Sequence, residues 1–292
     1  MQRKPPTPHS PYFRSFVHLS LSKVAAPPSS DEEKDRQFVT ALARGLRVLQ
    51  CFSPEQPELS GSDLARLTKL PQPTVWRLCH TMLELGVLVT VSGDKLRPGL
   101  AALRLGHSAI AGLGIAELAR PHLQELADTF EGAGGLAARD GIYMVMLQRC
   151  ESDNRLLMNL RVGSRVPLST SALGWAWLAG IPDDDRARIT AELEETDGLR
   201  WGNAKAGFAK ALAEYRASGF IINSGVLHRG YNTAAAPVLA PNGSVPYAVN
   251  CGSASVTLTV GRLRAEVGPR LAELAKVLRH GLSPQEMNAR IL

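Results

Sequence analysis

The sequence predicts an α+β chain of two domains: a winged helix-turn-helix over residues 37–98, a linker helix over 99–118, and a larger mixed domain over 119–292. Three observations carry that prediction. The chain has 292 residues and is 45% hydrophobic, enough to bury two separate cores. After Phe38, apolar residues recur at helical spacing in three successive short segments, and a β-run, a turn and a basic strand follow. From Gly134 onward strand-like runs alternate with helical ones and the chain closes on a helix, the pattern of a layered mixed domain.

Residues 1–36 cluster Pro and Ser and end in the charged run Asp31 to Arg36, so they read as a flexible tail with little apolar surface to offset ordering. The first helix carries Val39, Leu42, Leu46 and Leu49 on one stripe with Arg44 and Arg47 on the other side, and Pro54 and Pro57 end it. Ser60 or Ser62 caps the second helix, which turns Leu64, Ala65 and Leu67 inward. Leu70-Pro71-Gln72-Pro73 leads into the third helix, because a proline in the first turn loses no helical hydrogen bond. That helix buries Val75, Leu78, Met82 and Leu85, presents Thr74, Arg77, Thr81 and Glu84, and closes at Gly86. Val87–Val91, the turn Ser92-Gly93-Asp94 and Lys95-Leu96-Arg97 complete a hairpin.

The linker helix is softened by Gly106, Gly112 and Gly114, and Pro121 marks a break before a further helix through Leu123, Leu126 and Phe130. In the second domain strands are expected at Leu136–Arg139, Ile142–Gln148, Leu156–Val162, Phe220–Asn223, Ala234–Leu239 and Val245–Cys251, with turns at Asp140-Gly141 and Asn242-Gly243. Helices are expected at Ala172–Ala179, Asp183–Glu195 and Ala204–Ser218, and a closing helix carries Leu263, Val267, Leu271, Leu274 and Leu278.

The net charge is +6, with an excess of two positive charges in each of residues 1–36, 37–98 and 99–292, so charge alone only mildly favours a polyanionic partner. Cys51, Cys79, Cys150 and Cys251 stand apart, as in a reduced cytoplasmic protein, and read as small core residues. No apolar run approaches the roughly 20 residues that span a bilayer. Enzyme signatures are incomplete. Gly106-His107-Ser108-Ala109-Ile110 lacks the final Gly of a hydrolase elbow, and Gly112-Leu113-Gly114 lacks the third Gly of a dinucleotide fingerprint. The seven histidines are dispersed, so no metal cluster, catalytic base or cofactor is assigned.

In a helix-turn-helix the N-terminal residues of the second helix of the pair meet base edges. Gln72, Pro73, Thr74 and Arg77 are therefore placed at DNA, with Ser62 on the preceding helix. Gln72 suits adenine, Arg77 suits guanine or a phosphate, and Thr74 with the helix N-terminus suits phosphate. Lys95 and Arg97 on the hairpin would lie along the backbone or in the minor groove.

Ala41-Leu42-Ala43-Arg44-Gly45-Leu46-Arg47-Val48-Leu49, Asp63-Leu64-Ala65, Leu70-Pro71, Thr74-Val75-Trp76-Arg77-Leu78 and Leu85-Gly86 resemble the signature of IclR-type transcription regulators. Arg161-Val162-Gly163-Ser164-Arg165-Val166-Pro167-Leu168, Ala172-Leu173-Gly174 and Ala234-Ala235-Ala236-Pro237-Val238 extend the resemblance, in outline, over about residues 38–280. It implies a GAF-like effector domain, a homodimer or dimer of dimers on a palindromic double-stranded operator, and control by a small organic or aromatic acid. Three positions depart from the family pattern. Pro73 replaces a small hydroxyl residue, Trp175 a common Lys, and Tyr231-Asn232-Thr233 a stretch where Cys is frequent.

For the effector, Ser169-Thr170-Ser171-Ala172 at a helix start makes either an anion site for a carboxylate or an ordinary N-cap. Asn223, Asn250 and Cys251 lie on strands expected to face the same space. Two other readings stay open: a regulator whose C-terminal domain only dimerises, and a hydrolase-like enzyme with an unrecognised site.

Overall fold

The computed structural model describes residues 38–153 and 158–287, so the tail expected over 1–36 lies outside the described residues. The chain divides into two units between Ala109 and Ile110.

In the first unit α1 (Thr40–Leu49), α2 (Gly61–Thr68) and α3 (Gln72–Glu84) pack around Val48, Leu64, Val75, Cys79 and Met82, with Leu88 and Leu96 from the sheet closing the core. The sheet pairs β2 (Leu88–Val91) with β3 (Lys95–Pro98). It gains a third, two-residue strand that the sequence did not announce, β1 (Leu59–Ser60), with Leu59 opposite Leu96. Helix α4 (Leu100–Ala111) follows the wing.

Ser60, not Ser62, is the N-cap of α2. Its hydroxyl accepts from the Asp63 N–H while the Asp63 carboxylate accepts from the Ser60 N–H, a reciprocal capping box. Lys69 ends α2 in the left-handed region (φ 56°), and Pro71 then starts α3 with Pro73 in its first turn. At Gly86 (φ 66°) the chain turns out of α3 into the wing, and its carbonyl lies where a Cβ on Gly99 would collide.

Two expectations fail here. The α1 stripe does not face inward: Leu42 is 62% and Leu46 51% exposed, and Val48 is the buried residue of that helix. The side of α1 that carries Gly45 meets α3 instead, near Leu78. Leu85, expected in the core, is exposed because α3 ends at Glu84 and the chain turns away.

The second unit centres on a six-stranded antiparallel sheet, built from β4 (Ala133–Asp140), β5 (Tyr143–Glu151), β6 (Arg165–Pro167), β7 (Ile221–Ser224), β8 (Tyr231–Val238) and β9 (Tyr247–Ala254). Its order is β6-β5-β4-β9-β8-β7. One face packs on α5 (Gly114–Thr129) and on the closing helical segment. That segment runs through α9 (Val260–Arg262), a π turn (Leu263–Val267) and α10 (Gly268–His280), with α11 (Pro284–Met287) after it. The other face packs on α6 (Ala172–Gly180), flanked by α7 (Asp183–Thr196) and α8 (Gly198–Ser218). Trp175 and Trp177 anchor α6 by donating to the carbonyls of Ser169 (2.8 Å) and Val245 (2.7 Å).

The helix break falls at Leu113, not at Pro121, which sits inside α5. Gly112 and Gly114 flank the break, and flexible glycines end a helix as readily as one proline lost from its ladder. The strand expected over 156–162 is absent at Met158–Val162, while Leu156 and Leu157 lie outside the described residues. There the chain turns at Arg161–Ser164 with Gly163 at φ 85°, and β6 takes the sheet edge.

Candidate nucleic-acid interface and ligand cleft

With Val75, Cys79 and Met82 turned into the core, α3 presents Gln72, Pro73 and Arg77 to solvent, and Thr74 is half-buried. Ser62 is exposed in the first turn of α2. Pro73 has no N–H to offer an anion, but Gln72 keeps one in the first turn. On the wing Lys95 and Arg97 are exposed and flank the buried Leu96, and the left-handed turn at Gly93 and Asp94 carries the chain between the strands. Two exposed side chains join them that the sequence reading passed over, Trp76 and His80. Their rings are stacked, with centroids 6.2 Å apart and planes 19° apart.

In the second unit a small cavity of about 30 Å³ opens between the sheet and the start of α6. Ser171, Ala172, Asn223 and Asn250 line it, together with Arg149, Tyr231, Thr233 and the apolar Met146, Met158 and Leu160. The Ser171 hydroxyl accepts from the Gly174 N–H at 3.0 Å, so it is the N-cap of α6. The N–H groups of Ala172 and Leu173 have no acceptor within the helix by position, which leaves this end of α6 suited to an anion.

Ser169 and Thr170 do not line the cavity. The Ser169 hydroxyl donates to Asp197 at 2.5 Å, and the Thr170 carbonyl accepts from Asn223 Nδ2 at 3.0 Å. Cys251 is a correction. Successive side chains alternate across a strand, so with Asn250 in the cavity Cys251 points to the other face, where its thiol lies 3.8 Å from the Leu126 carbonyl. Burial there pushes the thiol up to about 12. Asn232 is buried in β8 with its amide donating to the Leu258 carbonyl.

Arg149 was not singled out from the sequence. Its side chain is almost fully buried and donates to Glu151 at 2.7 Å, and the exposed Arg161 donates to both oxygens of the same carboxylate, at 3.1 and 3.2 Å. One carboxylate thus serves two guanidinium groups, of which Arg149 lines the cavity. Across the sheet, the Asn250 Oδ1 is buried without a hydrogen-bond partner. Tyr231 donates to the Gly252 carbonyl at 2.8 Å, and burial holds its hydroxyl protonated, pushed up to about 12.

A winged helix-turn-helix with an exposed third helix, joined in one chain to a helix-covered sheet domain, defines the class of DNA-binding transcription regulators. Residues 41–92 match the IclR helix-turn-helix domain and residues 107–280 the bacterial transcriptional regulator IclR C-terminal domain. The chain belongs to the IclR family. It is 31% identical over 252 residues to the HTH-type transcriptional regulator TsaQ1/TsaQ2 of Comamonas testosteroni, covering 85% of this chain and 90% of that one. It superposes on the crystal structure of an IclR family transcriptional regulator from Brucella abortus with a TM-score of 0.77 at 36% identity, covering 87% and 97% of the two chains. An IclR homolog from Microbacterium hydrocarbonoxydans, crystallised in complex with 4-hydroxybenzoate, shares the fold with a TM-score of 0.65 at 22% identity, covering 86% of this chain and all of that one. The known relatives are regulators, and the hydrolase-like reading is dropped. Among the described residues no helix is long and apolar enough to cross a membrane.

Proposed function

We propose that the protein is a cytoplasmic homodimer, or a dimer of dimers, that binds a palindromic operator and releases or tightens it when an organic acid occupies the cleft at the start of α6. Gln72, Thr74 and Arg77 read or grip the major groove with Pro73 at the helix entry, Ser62 takes a phosphate, and Lys95 and Arg97 hold the flanking backbone. The exposed apolar faces of α1 (Leu42, Leu46) and of α4 (Leu100, Leu103, Leu105) favour self-association, since monomers seldom keep such stripes in water. Residues 99–118, as the connection, would carry the coupling, which is typically worth about 1–3 kcal/mol.

The observation that carries the acid reading is the row formed by Arg149, Gly135 and Asn250 beside the free N–H groups of α6. A buried guanidinium that shares its one carboxylate with Arg161, together with a helix N-terminus, favours a carboxylate, and the unpartnered Asn250 carbonyl asks for a donor such as a hydroxyl. The cavity holds only about one water, so an aromatic acid enters as Met146 and Met158, both unbranched and pliable, swing aside.

Selection of bound sequences from a random DNA pool at fixed salt, repeated with Arg77→Ala, tests the DNA part. A palindrome enriched by wild type, with affinity lowered by about 1–3 kcal/mol in the variant, supports it. Enrichment of no sequence, with or without acids present, counts against it. Melting the protein against benzoate, 4-hydroxybenzoate and aliphatic acids tests the cleft. A melt unmoved by all of them favours a domain that only dimerises.

A further inference from the structure

We propose that Trp76, braced by His80, reads thymine through its 5-methyl group in the major groove. This rests on α3 being the recognition helix, and goes beyond that reading by assigning base preference to an apolar side chain between Thr74 and Arg77 that the polar contacts leave without a role.

The inward face of α3 is already filled by Val75, Cys79 and Met82, so Trp76 has no place in the core and stands 66% exposed. On a helix face that also exposes Gln72, Arg77 and His80, the indole adds a flat apolar contact surface with one polar N–H. His80, one helical turn on, lies nearly parallel to it at 6.2 Å, a neighbour that favours this orientation of the indole. The surface continues the DNA-reading face, since Trp76 lies between Gln72 and His80 on one i, i+4 ridge and Arg77 is the next residue. The same unit exposes the cations Arg77, Lys95 and Arg97, with Arg77 next to Trp76 in the chain. An apolar plate on a recognition helix whose unit also exposes these cations matches a polyanion that offers one apolar group on its base edges, the thymine methyl.

The chain supplies its own probe. It contains four tryptophans, and Trp175, Trp177 and Trp201 are each 2% exposed. The emission that a neutral quencher such as acrylamide reaches most readily therefore comes from Trp76, and Trp76→Phe supplies the background of the three buried indoles. A neutral quencher is needed because DNA repels iodide whether or not it covers the indole.

The experiment uses the full chain with the operator obtained by selection. Wild type, Trp76→Phe and Trp76→Ala are compared by fluorescence anisotropy on operators in which each thymine in turn is replaced by deoxyuridine, which removes only the methyl. Matching melting curves confirm that the variants fold. The expected result has three parts. Operator binding shields the quenchable emission of wild type. Deoxyuridine at one or two positions per half-site weakens wild type about fourfold, the value of one buried methyl. The same replacement leaves Trp76→Ala unmoved, with Trp76→Phe between the two. An operator that binds while Trp76 stays quenchable overturns the proposal, as does a deoxyuridine penalty equal in wild type and Trp76→Ala. Shielding of Trp76 in the absence of DNA overturns it too, since the indole would then be buried between copies. Failure of the recognition-helix reading is separate and earlier, because no operator would be enriched at all.

Discussion

Arg149 and Asn250 pair with one residue, Gly135, from opposite sides: β5 and β9 flank β4, and both side chains lie on the face toward α6. A Cβ on Gly135 would come within 2.4 Å of Met146 Cε and 2.8 Å of Asn250 Oδ1. The missing side chain is thus the space that the Asn250 amide and the Met146 methyl share.

Gly135→Val is expected to fill that space. Overpacking of this kind costs about 1–3 kcal/mol, and the variant should fold while losing the stabilisation that acids confer on wild type. Denaturant unfolding with and without 4-hydroxybenzoate measures both, and a full acid response in the variant would remove the row from the ligand site.

Arg149→Met keeps the length and apolar stem of the side chain and removes its charge. A ligand at a hundred times its dissociation constant stabilises wild type by about 2.7 kcal/mol. That increment should vanish in Arg149→Met, while operator affinity without acid stays within about twofold of wild type because the row lies outside the DNA-reading unit. Melting curves and anisotropy on the same preparations separate the two effects.

The exposed faces of α1 and α4 predict an assembly defect. Leu42→Glu together with Leu103→Glu, both at positions more than 60% exposed, should leave each chain folded and shift the protein toward monomer. Light scattering after size exclusion reads the mass. A variant that keeps the wild-type mass would show that these stripes are not where copies meet.

Acid should loosen the start of α2. The Ser60 hydroxyl, the Arg66 guanidinium and the Ser60 N–H hold the Asp63 carboxyl down, from 3.8 to about 2. A folded-state value below the unfolded one means stability that is present above about pH 4 and is lost as pH falls through about 2. Asp63→Asn should flatten that limb in amide exchange of α2. Ser60→Ala should cost about 1 kcal/mol at neutral pH, as removal of a helix cap does.

The four thiols are buried and unpaired, and desolvation pushes Cys79 up to about 11 and Cys251 to about 12. Native protein at pH 8 should therefore resist a thiol reagent over the time in which unfolded protein titrates all four. Prompt labelling of Cys251 in the folded state would contradict its place beneath α5.

The order of helices, turn and hairpin in residues 38–98 was legible because each element carries a local signal. The Ser60 cap, Pro71 and Pro73 before a periodic run, Gly86 after it and the Gly93 turn are all short-range chemistry. The set proposed to face DNA rests on that order alone. Trp76 stands off the inward stripe of α3 in the sequence as well, but its exposure is a fact of the packing and not of the local pattern. The cleft was only half legible. Ser171 and Ala172 announced themselves as a helix start, and Asn223 and Asn250 as polar residues within strands. Whether a strand residue faces α6 or α5 depends on register, and a shift of one residue reverses it, which is why Cys251 was misplaced.

By itself, then, the sequence determined what neighbouring residues decide: the three helices and wing, the caps and turns, and a mixed second domain. Tertiary structure alone decided what depends on partners far along the chain. It turned the apolar stripe of α1 outward, because Val48 and the Gly45 side met α3 instead. It set Arg149 and Asn250, 101 positions apart, on either side of Gly135. A strand's periodicity says that its faces alternate, but which face meets the cleft is set by the pairing of strands remote in sequence, and no local pattern encodes that pairing.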